Sequence, residues 1–251
     1  MARQKGIIKL KGTIGDITFY KTQDGHLARE KGGIDANRIK NDPAFQRTRE
    51  NGAEFGRAGK AGKILRTAFR ALSLNSADSR MASRLTQQMM KVIKADAVSD
   101  RGLRNVLDGE TELLSGFEFN ALGKLGNTLY APFSSSIDRA AGTIDVEIPV
   151  FSPITMLAAP NGTTHFKIVS AGAEVDFEAE TFVIGTSATD ILPWTAADTE
   201  VISQSNAVTA ASTKPLFLVV GVEFYQEVNG AMYPLKNGSY NPLAIVQVSG
   251  M

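Results

Sequence analysis

Residues that could support hydrolytic catalysis are few and widely separated in this chain. Its two histidines, His26 and His165, have no acid and nucleophile nearby at a spacing known from catalytic triads. The sequence has no G-x-S-x-G segment, the nucleophile elbow of α/β-hydrolases. It also has no cysteine, which excludes disulfides, thiolate catalysis and cysteine-based zinc or iron–sulfur sites. We therefore expect a protein that is not an enzyme and that holds no cofactor and no metal.

A segment rich in glycine and lysine, residues 56–63, is similar to a phosphate-binding loop but departs from it in three ways. The loop has four residues between its first glycine and the Gly-Lys pair, whereas five separate Gly56 from Gly62. Ile64 stands where Ser or Thr is required, and no predicted strand precedes the segment. Close packing of another helix or backbone explains Gly56, Gly59 and Gly62 better, and a helix break near Gly56 is the alternative.

Acidic residues recur at every second position in one segment, at Glu174, Asp176, Glu178 and Glu180. Carboxylates two residues apart on a strand lie ~6.8 Å apart, too far to share one cation unless a loop folds back. We interpret this row as the solvated face of a strand. It is also the expected acidic partner for basic helices of a neighbouring subunit.

The N-terminal residues have strand-like patterning at 6–11, 14–21 and 26–30, with Asp24-Gly25 favouring a tight turn. This predicts a two- or three-stranded ribbon that is too small to be stable in water by itself. It must pack on the helices, on the β half or on another subunit. Phe19 and Tyr20 point to opposite faces, and both need cover. The side chains expected to make assembly contacts here are Ile14, Ile17, Phe19 and Tyr20.

Helical patterning follows the ribbon. Asp42-Pro43 predicts the start of a long helix, because Asp is a favoured N-cap and Pro fits the first helical position. One arc of this helix holds Phe55, Ala58, Gly62, Leu65, Phe69 and Leu72. A second helix is expected over about 77–97 and a short one over 101–107, ended by Asp108-Gly109. The exposed basic rows predicted for the two longer helices contain Lys60, Lys63, Arg66, Arg70, Arg80, Arg84, Lys91 and Lys94.

Beyond about residue 115 the hydrophobic period changes from 3.6 to 2. Ile144, Val146, Ile148 and Val150 alternate with polar residues, and Asn-Gly pairs at 161, 229 and 237 favour hairpin turns. Residues 216–222 are apolar on both faces, as in a central strand, and 243–248 indicate a terminal strand. The predicted fold class is α+β: an N-terminal β-hairpin and helical region, then an antiparallel β-sandwich of the immunoglobulin-like or jelly-roll-like kind. The predicted domains are 1–33, 34–112 and 113–251.

Charge is distributed unevenly along the chain. Residues 1–110 contain 22 Lys and Arg against 12 Asp and Glu, whereas residues 111–251 contain 5 against 14. Opposite charge at the two ends can steer copies of the chain together head to tail. The alternative is that helices simply carry more surface Lys and Arg than strands do.

The sequence contains no apolar run approaching the ~18 residues that cross a bilayer, and no apolar stretch of the ~7–15 residues typical of a signal peptide. We expect a soluble protein with no membrane partner that is made in the cytoplasm. Its expected final location is an extracellular filament or a virion-like particle.

Several segments carry a resemblance to a known family. They are Lys9-x-Lys-Gly-Thr-Ile-Gly-Asp-Ile-Thr-Phe-Tyr-Lys21, Arg29-Glu-Lys-Gly-Gly33, Asp42-Pro-Ala-Phe-Gln-Arg-Thr-Arg-Glu-Asn51, Val222-Glu-Phe-Tyr-Gln-Glu-Val-Asn-Gly230 and Tyr240-Asn-Pro-Leu-Ala-Ile-Val246. Together they resemble a widespread uncharacterised family of Bacteroidota-type genomes. Related families look like phage-associated or surface-assembly proteins. The resemblance therefore implies a structural role and no chemistry.

Two functions follow from these patterns. The first is a structural subunit that self-assembles into a filament, tube or virion-like particle, with copies of itself as partners. The second is a non-specific nucleic-acid-associated protein whose basic helices follow a phosphate backbone. Phe55 and Phe69 lie on the apolar arc, so few aromatic side chains remain for stacking on bases.

Overall fold

The computed structural model describes residues 2–30, 33–34, 36–76 and 78–250. The chain divides into two compact units, Met1–Arg49 and Glu50–Met251. The domain limits after residues 33 and 112 stay predictions. The long helices and the C-terminal sheets share one hydrophobic core within the second unit.

The first unit contains a four-stranded antiparallel sheet. Its strands are β1 (Ala2–Arg3), β2 (Gly12–Ile14), β3 (Ile17–Thr22) and β4 (Gly25–Glu30), in the order β1-β4-β3-β2, followed by α1 (Ala36–Asn41). Thr22 pairs with Gly25, so Gln23 and Asp24 form the two-residue turn. Gly25 has a φ of +107°, which favours glycine at this position. The predicted ribbon is therefore present, with one more strand than expected.

The strand predicted at 6–11 is wrong. The side chain of Gln4 closes this segment into a loop, because its Oε1 accepts from the Leu10 N–H at 2.8 Å. Lys9 Nζ donates to the Gln4 carbonyl at 2.5 Å. These bonds use groups that strand pairing would need, and they leave Ile7 and Ile8 fully exposed.

The helices follow the predicted order with different bounds. They are α2 (Gln46–Ala68), α3 (Arg70–Ser73) and α4 (Met81–Lys94). Asp42 Oδ1 accepts from the Ala44 N–H at 2.9 Å, which confirms the predicted cap, although a 3₁₀ turn (Pro43–Phe45) precedes α2. The helix continues through Gly56, so the alternative of a break there is wrong. The second helix was predicted to start at Ala77, which lies outside the described residues.

The short helix predicted at 101–107 does not form, because α2 binds the backbone of this segment. Glu54, which is 2% exposed, accepts from the Gly102 N–H through Oε1 at 2.8 Å. Arg57 donates to the carbonyls of Gly102 and Arg104 at 2.7 and 3.0 Å. These contacts hold the segment as a loop along α2 and replace the bonds of a helix.

Nine strands form two antiparallel sheets among the described residues of the second unit. They are β5 (Ser134–Asp138), β6 (Thr143–Ile148), β7 (His165–Asp176), β8 (Thr181–Ala188), β9 (Leu192–Pro193), β10 (Ile202–Ala207), β11 (Leu216–Val228), β12 (Ala231–Pro234) and β13 (Leu243–Ser249), with the short α5 (Pro153–Met156) after β6. The smaller sheet has the order β10-β6-β5. The larger, curled sheet has the order β12-β11-β7-β8, with β13 also paired to β11 and β9 to β7.

The larger sheet is the middle of three layers. On one face, Ala171 and Phe217 pack with α2 and α4 side chains such as Leu65 and Met89. On the other face, β11 and β7 pack with Ile144, Val146 and Ile148 of the smaller sheet. Residues 216–222 are all buried, which confirms the predicted central strand. The predicted antiparallel β-rich C-terminal half is also confirmed.

Two details of the predicted β half are wrong. Its first strand begins at Ser134. Val150 follows the end of β6 and is 53% exposed, so the alternation stops at Ile148. The Asn-Gly pair at 237 lies in a 3₁₀ turn (Leu235–Gly238), not in a hairpin. By contrast, Asn229 and Gly230 join β11 to β12 with positive φ values of 53° and 78°, as predicted.

No helix among the described residues combines the length and the apolar character needed to cross a bilayer.

Asp96 organises the loop that follows α4. Its Oδ1 accepts from the N–H groups of Val98 and Ser99 at 2.8 and 2.9 Å, and its Oδ2 accepts from Asn105 at 3.0 Å. Burial raises the pKa of this carboxyl, but the three donors outweigh burial and lower the pKa from 3.8 to about 2. Because the folded pKa is below the unfolded one, this stabilisation is present above pH ~4 and is lost as the pH falls through 2.

Replacing Asp96 with Asn should lower the free energy of unfolding by about 2 kcal/mol at neutral pH, because an amide nitrogen cannot accept these bonds. Urea unfolding followed by the fluorescence of the single tryptophan, Trp194, measures the difference. The difference should shrink between pH 4 and 2, as the native carboxylate becomes protonated. The control is Asp100→Asn, at an exposed aspartate in the same loop. An equal loss of unfolding free energy at every pH would contradict a stabilising role for the charge of the Asp96 carboxylate.

Candidate assembly surfaces

The sheet of the first unit has no hydrophobic core of its own. No described residue among 2–30, 33–34 and 36–49 is buried. Its edge strands have only two and three residues. A small sheet with an exposed apolar face gains stability when another surface covers that face. The ribbon is therefore the first surface at which to look for a partner.

Strand register gives this sheet two different faces. Ile14 pairs with Ile17, and Phe19 pairs with Ala28, so these four side chains share one face. Ile14 is 62% and Ile17 45% exposed. A groove of about 560 Å³ is lined by Ala2, Asp16, Ile17, Ala28, Arg29 and Glu30. We call Ile14, Ile17, Phe19 and Ala28 the apolar ribbon face.

The opposite face is more polar, although Tyr20 and Leu27 are paired on it. Thr13 pairs with Thr18, and their hydroxyl oxygens are 3.4 Å apart. The guanidinium carbon of Arg29 lies 5.4 Å from the centre of the Tyr20 ring. Tyr20 is thus covered in part by a neighbour on its own sheet. The four ribbon residues predicted from the sequence are divided between the two faces, with three of them on the apolar one.

The predicted basic rows are partly occupied by contacts within the second unit. Lys60 Nζ lies 3.8 Å from Glu180 Oε1, and both side chains are more than half exposed. Arg84 is held more firmly, because it binds Asp78 at 2.6 Å and the Glu118 carbonyl at 2.6 Å. The remaining predicted cations are Lys63, Arg70, Arg80, Lys91 and Lys94, which are exposed, and Arg66, which is half-buried.

The predicted acidic strand face is only partly correct. Glu174 and Asp176 lie on β7, but this strand ends at Asp176 and Glu178 and Glu180 lie in the following turn. Asp176 Oδ1 accepts from the N–H groups of Glu178 and Ala179, both at 2.9 Å, which bends the chain out of the strand. Its Oδ2 lies 2.7 Å from Lys214 Nζ, and this bond lowers the pKa of Asp176. Part of the acidic row is therefore neutralised by its own chain.

The three glycines of α2 that were predicted to pack closely, Gly56, Gly59 and Gly62, have different surroundings. A Cβ on Gly62 would stand 3.6 Å from Leu85 on α4, in ordinary contact. A Cβ on Gly56 or Gly59 would meet no other part of the described chain within 4 Å. Phe55, predicted on the apolar arc, is 60% exposed beside them. Within the second unit, close packing therefore accounts for Gly62 alone.

A second partly apolar surface lies at one end of the two sheets. Ile148 on β6 pairs with Ile202 on β10, and beyond this pair the chain continues through two adjacent loops. The Thr199 N–H donates to the Phe151 carbonyl at 2.9 Å, and the Ile154 N–H donates to the Thr195 carbonyl at 3.2 Å. We call the surface of residues 149–156, which include α5, and 195–201 the loop end.

The exposed side chains of the loop end are apolar and acidic. Val150, Ile154 and Val201 are 53%, 50% and 53% exposed. Asp198 and Glu200 are exposed beside them. Neither loop contains Lys, Arg or His. Sequence analysis missed this surface, because it assigned Val150 to the inside of a strand.

A third surface is the outer face of the smaller sheet. It carries a groove of about 480 Å³ whose outward side chains are Ser134, Ser136, Asp145, Glu147, Ser203 and Ser205. No group of three or more His, Cys, Asp or Glu among the described residues could hold a metal ion. This face is polar and has no large apolar side chain to anchor a partner.

Comparison with known proteins gives no match: no family model, curated protein or solved structure matches this chain.

Replacing Gly56 and Gly59 with Ala should raise the free energy of unfolding by about 1–2 kcal/mol in total, because each helical glycine costs roughly 1 kcal/mol relative to Ala. Gly102→Ala is the control of opposite sign, since its φ is +90° and a Cβ would stand 2.8 Å from Glu50 Cγ. Thermal and urea unfolding measure both effects. A loss of stability in the Gly56 and Gly59 variants would mean that these positions are closely packed after all.

Proposed function

We propose that this protein is a structural subunit that self-assembles into a filament, tube or virion-like particle, and that its ribbon docks on the next copy. The observation that carries this proposal is the first unit itself. It is a folded sheet with an apolar face and no buried residue among those described. A sheet that lacks a core of its own gains stability when a partner surface covers its apolar face.

The energetic gain from covering the apolar ribbon face is substantial. Complete burial of an isoleucine side chain contributes roughly 1.5–3 kcal/mol. Ile14 and Ile17 are directly opposite each other and about half exposed, so one partner surface can cover both. The free energy gained by this burial must exceed the free-energy cost of the entropy lost on association. A contact that repeats in every subunit provides this gain at each interface.

Charge favours docking between copies. Residues 1–49 contain 11 Lys and Arg against 5 Asp and Glu, whereas residues 50–251 contain 16 against 21. The first unit is thus basic and the second acidic. A basic donor unit and an acidic acceptor unit on every chain give a head-to-tail contact, and such contacts produce rings or open polymers.

The β-rich second unit and the family resemblance agree with a structural role. We infer that its two facing sheets form a sandwich of the immunoglobulin-like or jelly-roll-like kind, a rigid body suited to a repeating subunit. The resemblance to phage-associated and surface-assembly families points the same way. In this proposal the protein is not an enzyme, and its partners are copies of itself.

Because lysines and arginines of α2, α3 and α4 are exposed, association with nucleic acid is a second function to test. Fluorescence anisotropy with labelled duplex DNA at low salt measures it. Binding that weakens steeply with salt, by a protein that stays monomeric, would replace self-assembly as the proposed function.

The wild-type protein should assemble in a concentration-dependent way that weakens at high salt, as measured by analytical ultracentrifugation and electron microscopy. A double variant, Ile14→Glu with Ile17→Glu, should weaken assembly at least tenfold, because it places like charge against an acidic acceptor and removes apolar contact. The matched control is Thr13→Glu with Thr18→Glu, the paired positions on the polar face. A wild-type protein that stays monomeric at high concentration would overturn the proposed function.

A further inference from the structure

We infer that the acceptor for the apolar ribbon face is the loop end of the next copy, with Val150, Ile154 and Val201 as its apolar contacts. This inference rests on the proposed function and adds the surface that receives the ribbon. It is carried by the similar composition and the opposite net charge of the two surfaces. Each surface is a group of exposed aliphatic side chains. Only acidic residues flank this group at the loop end, whereas the ribbon carries more basic than acidic residues, with Glu30 paired to Ile17.

The aliphatic group at the loop end is held in place by backbone bonds. Thr199 both donates to the Phe151 carbonyl at 2.9 Å and accepts from the Phe151 N–H through its hydroxyl at 3.2 Å. The Ser152 hydroxyl donates to the Ala196 carbonyl at 3.3 Å. These bonds fix the positions of Val150 and Val201 in the two adjacent segments, 149–156 and 195–201. The surface is therefore formed before any partner binds, which limits the entropy cost of docking.

The charged residues that flank the loop end are all acidic. Residues 149–164 contain no charged side chain, and residues 189–213 contain three, Asp190, Asp198 and Glu200. Residues 1–30 contain three acidic residues, Asp16, Asp24 and Glu30, against six basic ones: Arg3, Lys5, Lys9, Lys11, Lys21 and Arg29. Complementary charge of this kind steers association and selects one register among many.

Other acidic surfaces of the second unit fit the ribbon less well. Asp176 is already bonded to Lys214, and Glu180 lies 3.8 Å from Lys60. The outer groove of the smaller sheet has carboxylates but only small polar neighbours. The loop end exposes three aliphatic side chains beside its acidic ones. On the β7–β8 surface Val183, 46% exposed, lies opposite Glu174, next to carboxylates that Lys214 and Lys60 already contact.

Cross-linking between two cysteine variants tests this contact directly, because the natural chain has no cysteine. Full-length Ile17→Cys and Val201→Cys proteins, carrying different tags, are mixed under assembly conditions and treated with a short bis-maleimide. The control replaces the second protein with Val98→Cys, an equally small side chain that is 82% exposed in the loop after α4. We expect the mixed dimer with Val201→Cys to exceed the control at least fivefold.

A second measurement uses charge. The double variant Asp198→Lys with Glu200→Lys should assemble at least tenfold more weakly than wild type at low salt, with the difference narrowing at high salt. Equal cross-linking at positions 98 and 201, or wild-type assembly by the charge variant, would overturn the loop end as acceptor. Cross-linking of a combined Ile17→Cys, Val201→Cys chain only within itself would also overturn it, since the ribbon would then dock in its own copy.

The two proposals fail in different ways. A wild-type protein that never associates removes the proposed function and this inference together. A protein that assembles, loses assembly on substitution of Ile14 and Ile17, and ignores substitution of Asp198 and Glu200 keeps the proposed function and loses only the acceptor.

Discussion

The larger sheet of the second unit is apolar on both faces, and this is the constraint on which the remaining structure depends. β7 and β11 are buried along most of their length, so each face must be covered by another layer. α2 and α4 supply one layer and the smaller sheet supplies the other. The two core clusters contain no residue before Ala58. The second unit therefore completes its core with its own residues, while the first unit does not.

Much of this fold could be predicted where the deciding interactions are local. The cap at Asp42, the turn at Asn229-Gly230 and the strand at 216–222 each follow from a few adjacent residues. The errors arise where side chains distant in sequence bind the backbone. Gln4 closes the 4–10 loop, and Glu54 with Arg57 prevents a helix at 101–107. Such bonds join residues up to 47 positions apart, so the hydrophobic periodicity of the sequence cannot predict them.

The candidate surfaces show the same limit. Alternation along β3 places Ile17 and Phe19 on one face, and the structure adds Ile14 and Ala28 through strand pairing. The loop end could not be found by periodicity, because its apolar residues come from two loops brought together by the end of the β6–β10 pair. The composition of the two segments nevertheless indicated this surface, because residues 149–164 contain no charged side chain and the charged residues of 189–213 are all acidic.

The very short edge strands of the ribbon limit the kinds of aggregate that it can form. β1 has two residues and β2 has three, so neither edge offers a long row of free backbone groups to an incoming strand. Sheet extension of the amyloid type, which needs such a template, is thereby disfavoured. Contact through the face can bury apolar side chains without opening a route to irreversible fibres.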